Sequence, residues 1–285
     1  MQTLLSLLSF SDWIHNCPHK LSHKIVSEWS SFVDGFEILL SWPELIEFSE
    51  RVRNTEIEIP GECASLTNEA MRTILDSSAF SIHVHDLKEL SVEKRSQALT
   101  AINGLTDRFS HLTLVFHADE APQILLDQIV PNLTSPRRCT IENMCPQKRE
   151  LISLSEVAAF LDRYPELSLT FDICHWLEAN SQETSLKEVS DFMASYGNRV
   201  RSIHVSVPTS AYSGYKKENF TRHHLLTRSD FPFHEVFRLV LSSASADVRC
   251  VSEGYFPVSF GNLVEEEIDY LKQVVREIQS QAQLS

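Results

Sequence analysis

The feature of this sequence that most constrains its fold is an alternation of short strand patterns with helix patterns from one end to the other. The strand patterns are rich in apolar and β-branched residues, and apolar residues at helical spacing follow them. We predict eight strands, at residues 4–10, 35–40, 80–85, 111–117, 138–143, 167–172, 200–205 and 248–253.

Helix patterns fill the intervals between these strands. Pro43 stands at a favoured first-turn position of one helix, residues 43–53. Ser91 can cap another, residues 91–109. The predicted helices are residues 21–32, 43–53, 68–75, 91–109, 122–129, 153–164, 186–197 and 233–241, with a final helix through residues 264–278. Two other segments are predicted as a short extra strand with a turn, residues 54–65, and as a long loop, residues 206–232.

The alternation predicts an α/β protein with a parallel sheet, and eight strands suffice to close a barrel. A length of 285 residues suits one large barrel or two smaller domains, and no linker or low-complexity segment interrupts the pattern. We therefore predict a single-domain (β/α)8 TIM barrel over residues 1–285. The alternative is an open doubly wound sheet, which usually carries a glycine-rich phosphate loop. This chain has 7 glycines and no G-x-G-x-x-G motif.

Charge and cysteine usage restrict the class of protein. A formal net charge of −14 is unfavourable for a broad phosphate-binding surface, although a bound cation can reverse the field in a cleft. The six cysteines form no C-x-x-C pair, which fits buried thiols in a reducing cytoplasm, and Cys145 and Cys174 are interpreted as core residues. No apolar run reaches membrane-spanning length, and residues 1–10 are interpreted as a strand rather than a signal peptide.

The chemistry is predicted at the strand ends, where histidine and acidic residues recur. These residues are His83, His117, Glu142, Asp172 with His175, His204 and Glu253. The carboxyl ends of the strands of a parallel barrel face one site. A buried cluster of this kind is costly without a positive ion, and imidazoles with carboxylates suit zinc, manganese, iron or cobalt better than calcium.

Each of these residues also has a structural interpretation when it is taken alone. His83 could be a hydrogen-bonded core histidine, and Glu142 could be a solvated residue at the rim. The structural interpretation would have to hold at all six strand ends at once, which favours the metal site. Trp176, beside His175, is interpreted as a core or rim residue that could shape the pocket. The choice between His83 and His85 as the ligand stays open.

The ordered set of strand ends resembles the xylose-isomerase-like barrel superfamily, which includes sugar isomerases and epimerases and the endonuclease IV family of apurinic-site nucleases. The resemblance covers nearly the whole chain. The matching pieces are Ser81-Ile82-His83, Val115-Phe116-His117, Ile141-Glu142-Asn143, Phe171-Asp172-x-x-His175, Ser202-Ile203-His204 and Ser252-Glu253-Gly254.

The resemblance implies a set of roles. The implied core metal ligands are Glu142, Asp172, His204 and Glu253. In the sugar epimerases, the glutamates matching Glu142 and Glu253 also move the substrate proton. In the endonuclease branch, further residues help to hold three zinc ions, and their matches here are His83, His117, His175 and His223. Between one and three divalent ions are therefore expected.

The loop around His223 is where the chain departs from the endonuclease branch. Residues 220–226 resemble the Asp-Arg-His-His loop of that branch, but Thr221 stands in place of an aspartate ligand. Conversely, Gly35-Phe36-Glu37 resembles the Gly-x-x-Glu of the sugar-isomerase branch. The candidate substrate-binding residues are Arg222, His224, Trp176 and Glu37.

Three functions remain open. The leading hypothesis is a cytoplasmic metal-dependent isomerase or epimerase of a small sugar or sugar-phosphate-like substrate. One of Glu142 and Glu253 would remove a proton beside the metal-bound carbonyl, and the other would return one. The second hypothesis is an endonuclease-IV-like phosphodiesterase acting on nucleic acid through a metal-bound hydroxide. The third is a binding barrel without catalysis.

Overall fold

The computed structural model is a closed barrel of eight parallel strands in sequence order, with β8 paired to β1. It describes residues 1–85, 92–117, 123–146, 148, 150–180, 186–208, 223–228, 233–256, 258 and 263–282. The strands are β1 Gln2–Ser6, β2 Gly35–Ser41, β3 Ala79–His85, β4 Leu112–Phe116, β5 Cys139–Glu142, β6 Ser168–Asp172, β7 Val200–Val205 and β8 Arg249–Ser252. The predicted (β/α)8 TIM barrel is confirmed.

The helices connect the strands and cover the barrel. They are α1 Ser11–Asn16, α2 Pro18–Ser27, α3 Trp42–Arg53, α4 Asn68–Leu75, α5 Val92–Arg108, α6 Gln123–Ile129, α7 Leu154–Arg163, α8 Ile173–Ala179, α9 Leu186–Tyr196, α10 His234–Ser243 and α11 Leu263–Ala282. Capping boxes begin α3 at Ser41 and α7 at Ser153. Among the helices that the structure describes, none is both long enough and apolar enough to cross a membrane.

The prediction of an extra strand at residues 54–65 is wrong. The structure has a 3₁₀ helix at Gly61–Ser65 instead, and Thr55 and Gly61 have φ angles of 66° and 73°. Charged and apolar residues alternate from Glu56 to Ile59, which is the pattern of a half-buried strand. A closed barrel leaves no free strand edge to pair with, so this alternation cannot be completed by hydrogen bonds to the sheet.

The beginning of the chain also differs from its prediction. β1 ends at Ser6, and Leu7–Phe10 forms a 3₁₀ helix rather than the second half of a strand. The apolar run continues because these residues enter an aromatic cluster. The ring of Phe10 stacks on that of Phe256 with 5.0 Å between ring centroids, and its centroid lies 4.6 Å from that of Trp29. An added helix, α1, follows. The predicted helix at residues 21–32 instead runs from Pro18 to Ser27, and a separate 3₁₀ helix covers Trp29–Ser31.

Close packing between β2 and β3 explains a glycine at the start of β2. Gly35 pairs with Ala79, and a Cβ atom at Gly35 would lie 1.6 Å from the carbonyl oxygen of Ala79. A side chain at this position would overlap the backbone of β3, so the register of these two strands requires glycine. This register places Glu37 beside Ser81 in the barrel interior.

The amino-terminal end of the barrel is held by a buried arginine. Arg249 begins β8, and its Nη1 donates to the carbonyl oxygen of Phe80 at 2.9 Å and to Thr113 Oγ1 at 2.5 Å. Its Nη2 donates to the carbonyl oxygen of His111 at 2.5 Å. The guanidinium therefore joins β8 to β3 and β4 across the barrel.

Candidate metal centre

The carboxyl ends of the strands bring the predicted ligands together. β3 carries His83, β5 ends on Glu142, β6 ends on Asp172, and Glu253 directly follows β8. In β7, His204 is in register with Asp172 on β6. The strand-end residues therefore meet because the parallel register aligns the ends of neighbouring strands.

Four residues form the central group of this site: Glu142, Asp172, His204 and Glu253. Each offers one ligand-capable atom, and these atoms lie within 4.8 Å of one another. The Nδ1 atom of His204 lies 3.1 Å from Glu142 Oε1, 3.1 Å from Glu253 Oε1 and 3.9 Å from Asp172 Oδ2. One imidazole edge thus faces three carboxylates, and these four residues are the core ligands that the resemblance implies.

A second group shares Glu142 with the central group. The Nε2 atoms of His83 and His117 lie 2.7 Å apart, and Glu142 Oε2 lies 3.0 Å from the first and 3.2 Å from the second. The two oxygens of Glu142 therefore face different groups, Oε1 towards His204 and Oε2 towards the two histidines. Glu142 would therefore offer one carboxylate oxygen to each group.

A third group shares Asp172 with the central group and also contains His175 and His223. His175 Nε2 lies 3.8 Å from Asp172 Oδ2, and the rings of His175 and His223 are 5.3 Å apart. His223 Nδ1 is hydrogen-bonded with Ser206 Oγ at 2.7 Å and lies 3.6 Å from Glu253 Oε2. His223 comes from the loop after β7, as the sequence predicted.

Glu37, a predicted substrate-binding residue, lies beneath the central group and is fully buried. Its Oε2 is 3.3 Å from His204 Nε2 and accepts a hydrogen bond from Ser81 Oγ at 2.9 Å. Glu37 faces the ring nitrogen of His204 that points away from Glu142. A carboxylate behind a ligating histidine orients the ring and fixes its tautomer, so this position makes Glu37 a partner of His204.

Asn143 orients Asp172, a role that the sequence did not reveal. Its Nδ2 donates to the carbonyl oxygen of Asp172 at 2.9 Å, and its Oδ1 accepts from the Asp172 backbone N–H at 2.7 Å. Asp172 Oδ1 in turn caps α8 by accepting from the His175 N–H at 2.6 Å. Only Oδ2 remains for the central group. The signal available in the sequence was an amide side chain directly after Glu142.

Unpaired polar atoms in the site indicate that a cation fits it. Among the described residues, several buried atoms of these groups have no hydrogen-bond partner: Glu37 Oε1, His83 Nδ1, His117 Nδ1, Glu142 Oε2, Asp172 Oδ2 and His204 Nε2. An unsatisfied buried polar atom costs about 1–3 kcal/mol. Imidazoles with carboxylates suit a transition-metal ion, so the residues present fit a divalent metal.

Proton affinities in the central group are pushed in opposite directions. Burial raises the pKa of Asp172 well above its ordinary value, and the negative charge of Glu142 adds to this effect. Burial also opposes ionisation of Glu253, but His204 outweighs it and lowers the pKa of Glu253 to about 2. Burial lowers the pKa of His223 to about 4.

His204 carries the positive charge that this group needs. Although burial disfavours its charged form, the carboxylates of Glu253 and Glu37 raise the pKa of His204 well above its ordinary value. The protonated His204 thus offsets part of the negative charge of the carboxylates of Glu253, Glu37 and Glu142. Metal binding would compete with the proton on His204.

A further group combines the predicted ligand His175 with two residues outside the predicted set, Cys145 and Glu178. Cys145 is 1% exposed, in agreement with its interpretation as a buried residue, but its sulfur also lies within ligand distance of the other two side chains. Glu178 follows His175 by three residues on α8, and its Oε2 lies 3.8 Å from His175 Nδ1. This spacing on one helix was the signal for Glu178 in the sequence.

Four other predicted residues contribute differently. The structure places His83 in two groups, one with His117 and Glu142 and one with Glu37, His204 and Glu253. In the described part of the chain, His85 belongs to none of the five groups of ligand-capable residues. His224 forms an isolated antiparallel bridge with Val207, and Trp176 is 1% exposed, so it packs in the interior. Arg222 lies outside the described residues, so its predicted role in substrate binding stays a prediction.

No family model matches the sequence, and no curated protein matches it in a sequence search. Solved structures do match the fold. A xylose isomerase-like TIM barrel protein from Mycobacterium smegmatis, in complex with magnesium, is 15% identical with a TM-score of 0.58, and the match covers 97% of each chain. The 3-keto-D-glucoside 4-epimerase from E. coli is 12% identical with a TM-score of 0.53, and the match covers 96% of this chain and 98% of that one.

A xylose isomerase domain protein from Planctomyces limnophilus is also similar, with 11% identity, a TM-score of 0.53 and coverage of 98% of each chain. The chain therefore has the fold of the xylose-isomerase-like barrels over nearly its whole length. At these identities the likeness establishes the fold, and the activity has to be argued from the site.

Proposed function

We propose that the protein is a divalent-metal-dependent isomerase or epimerase of a small sugar or sugar-phosphate-like substrate. The observation that carries this proposal is the pair Glu142 and Glu253, whose Oε1 atoms each lie 3.1 Å from Nδ1 of His204. Two carboxylates beside one ligand group can serve as the base and the acid of a proton transfer. The likeness to a 3-keto-D-glucoside 4-epimerase supports this choice of reaction.

Glu142, Asp172, His204 and Glu253 would hold the ion of this reaction. When bound, a divalent ion would supply Lewis-acid polarisation of a substrate carbonyl and so acidify the neighbouring C–H bond. The pKa values of Glu142 and Glu253 lie below their ordinary range because His204 offsets the cost of burial, so both carboxylates are ionised at neutral pH. Either one can therefore accept the substrate proton, and the proton that the other returns is first taken up from solvent. Asn143 holds Asp172 in place.

Deuterium exchange tests this proposal most directly. The metal-loaded protein is incubated in D₂O with a panel of ketoses, keto-glycosides and their phosphates, and deuterium incorporation beside the carbonyl is followed by NMR. We expect exchange with at least one substrate, and we expect Glu142→Gln and Glu253→Gln each to reduce it by about 100-fold or more. Glu235→Gln, at an exposed glutamate in the first turn of α10, is the control. Full exchange in either active-site variant would contradict the assignment.

A second candidate is a multi-metal phosphodiesterase related in mechanism to endonuclease IV. The observation in its favour is the second group, in which His83 and His117 face the free oxygen of Glu142. Two neighbouring ions can stabilise the attacking and leaving oxygens of a phosphoester. Cleavage of an abasic-site oligonucleotide, lost in His117→Ala, would favour this candidate over the isomerase. Absence of both activities and of metal-dependent stability would favour a binding barrel.

We also propose that the protein works in the cytoplasm. Five of its six cysteines are buried and all six are free thiols, a usage that suits a reducing compartment. Fractionation of the source cells with an antibody to this chain would test the compartment.

A further inference from the structure

We propose that Cys145, the Nδ1 edge of His175 and Glu178 form a second metal-binding site that takes a thiophilic divalent ion such as Zn²⁺. This site is separate from the central group of Glu142, Asp172, His204 and Glu253. It goes beyond the proposed function, because it depends neither on a sugar substrate nor on the proton transfer.

The three side chains converge from two elements. Cys145 lies on the loop directly after β5, and its sulfur, a nitrogen of His175 and an oxygen of Glu178 lie within 4.8 Å of one another. His175 and Glu178 are three residues apart on α8, which places them on the same face of the helix. A short loop and one helix face therefore define the site.

The spacing between the two helical ligands suits an ion better than a hydrogen bond. Glu178 Oε2 lies 3.8 Å from His175 Nδ1, which is too long for a hydrogen bond. Ligands at about 2.0–2.3 Å from a tetrahedral zinc lie roughly 3.3–3.7 Å from one another. A small shift of either side chain would bring both atoms to coordination distance of one ion.

Two of the facing atoms are buried and lack a hydrogen-bond partner among the described residues, His175 Nδ1 and Glu178 Oε2. The His175 residue is 8% exposed, so water has little access to its ring. Leaving two such atoms unpaired beside each other costs free energy that a shared cation would recover.

The two ring nitrogens of His175 separate this site from the central group. Nε2 faces inward and lies 3.8 Å from Asp172 Oδ2 and 4.0 Å from Glu142 Oε1, whereas Nδ1 faces Glu178. A neutral imidazole has one nitrogen available as a ligand, since the other carries the proton. With Nδ1 on the outer ion, the Nε2–H points towards Asp172, which is the carboxylate–histidine–metal arrangement of many metal sites.

The ligand types determine which ion fits. A thiolate with an imidazole favours zinc or cobalt over magnesium or calcium, which prefer oxygen ligands. Three protein ligands would leave a fourth position of a tetrahedral ion open to water or to a small ligand.

Cobalt spectroscopy on the full chain tests this site without reference to activity. Metal-free protein is titrated with Co²⁺, and near-ultraviolet absorption from thiolate-to-cobalt charge transfer is recorded. We expect this absorption to reach its maximum when one Co²⁺ ion per chain has bound at this site. Cys145→Ser should remove this absorption and reduce the zinc content by one ion per chain. Cys139→Ser is the matched control, because Cys139 is a buried cysteine at the opposite end of β5 and should leave both measurements unchanged.

Two further variants make the outcome decisive. Glu178→Gln should weaken cobalt binding at the thiolate site by about tenfold or more, as expected for loss of an anionic ligand. Glu253→Gln should reduce binding at the central group and leave the thiolate absorption in place, so failure of the proposed function and failure of this site are distinguishable. Absence of the absorption in the wild-type protein, or its persistence in a folded Cys145→Ser variant, would overturn the proposal.

Discussion

The two ends of the barrel bury charge in opposite ways. At the amino-terminal end, the Arg249 guanidinium donates to Phe80, His111 and Thr113, and none of its nitrogens is among the buried atoms without a partner in the described residues. At the carboxyl end, Asp172 Oδ2 and Glu142 Oε2 are buried without hydrogen-bond partners. The guanidinium has all its hydrogen-bond partners within the described chain, whereas the two carboxylate oxygens are placed where they could bind a cation.

This difference separates stability from function in the same strands. Removing a satisfied buried charge leaves its hydrogen-bond partners unpaired and costs stability, whereas an unsatisfied buried charge itself costs stability and persists when a ligand or reaction requires it. TIM barrels in general place their active sites at the carboxyl end and their stabilising residues at the other. The two ends should therefore respond to substitution with opposite signs.

The largest effect on stability is expected at the amino-terminal end, from Arg249→Met. The substitution removes the charge but leaves two carbonyl oxygens and a hydroxyl group without their donor, at about 1–3 kcal/mol each. We expect the free energy of unfolding in urea to fall by about 3–5 kcal/mol, with metal content per folded chain unchanged.

The control for Arg249→Met is Arg201→Met, which removes a salt bridge with the exposed Asp247 near the same end of the barrel. An exposed ion pair contributes about 0–1 kcal/mol. A loss in Arg249→Met no greater than that in Arg201→Met would contradict the view that the guanidinium holds this end together.

The next largest effect is expected at the carboxyl end, from the metal itself. An ion that binds only the folded protein stabilises it by about 2.7 kcal/mol at a free concentration of 100 times its dissociation constant. We expect Zn²⁺, Mn²⁺ or Co²⁺ to raise the thermal unfolding midpoint and a chelator to reverse the change. Ca²⁺ at equal concentration is the control, because the mixed imidazole and carboxylate groups suit it less well. Identical midpoints with every ion and with chelator would break the comparison and favour a binding barrel.

A smaller effect, of opposite sign to Arg249→Met, is expected for Asp172→Asn in the metal-free protein. Burial raises the pKa of Asp172, so its ionised form is disfavoured in the folded state and destabilises it increasingly as pH rises above the ordinary aspartate range. An amide keeps the acceptor that caps α8 at the His175 N–H and removes the charge. We expect metal-free Asp172→Asn to be more stable than the wild type by about 1 kcal/mol at neutral pH.

Glu156 provides a matched comparison for Asp172, because it also lies at a helix amino terminus. It accepts hydrogen bonds from the Ile152 and Ser153 N–H groups, which lower its pKa despite some burial. Glu156→Gln should therefore destabilise the protein by up to about 1 kcal/mol. Equal and negative effects of both substitutions on the urea midpoint would contradict the difference drawn between the two carboxylates.

The order of the strands and the convergence of the strand-end residues could be predicted from the sequence because both follow from local patterns. A strand pattern ending in Glu142 or Asp172 fixes a residue at the carboxyl end of a parallel strand, and eight such ends meet once the barrel closes. The extra strand at residues 54–65 failed because its pattern is local, whereas strand formation needs a free edge that the closed barrel does not have.

The proximity of Cys145, His175 and Glu178 could not be predicted by the same reasoning. Cys145 lies beyond a strand end, and Glu178 lies in the body of α8, so neither belongs to the row of strand-end residues. Their proximity depends on how the loop after β5 packs against α8. Glu37 shows the same limit, since its sequence motif suggested substrate binding while its register with Ser81 places it beneath His204.

The smallest effect on stability is expected at Glu267, a buried residue of α11 whose carboxyl group binds the segment that follows His223. It accepts from the N–H of Leu226 at 2.5 Å and from the N–H and hydroxyl of Thr227 at 3.0 and 2.8 Å, just after His223 in the chain. Burial raises its pKa above the ordinary 4.5, despite these donors. Its contribution to stability is therefore full below that value and is lost as pH rises through the higher folded pKa.

We therefore expect Glu267→Gln to be less stable than the wild type by about 1 kcal/mol in mildly acidic solution, because the amide cannot accept all three hydrogen bonds. This difference in unfolding free energy should become smaller as pH rises towards neutrality, because ionisation of the buried wild-type carboxyl destabilises the folded state. Urea unfolding across this range measures it, with Glu265→Gln, at an exposed position of α11, as the control. A difference that grows with pH would mean that the three donors make the ionised carboxylate the favoured form. Glu267 would then resemble Arg249, a buried charge that the fold satisfies, rather than Asp172.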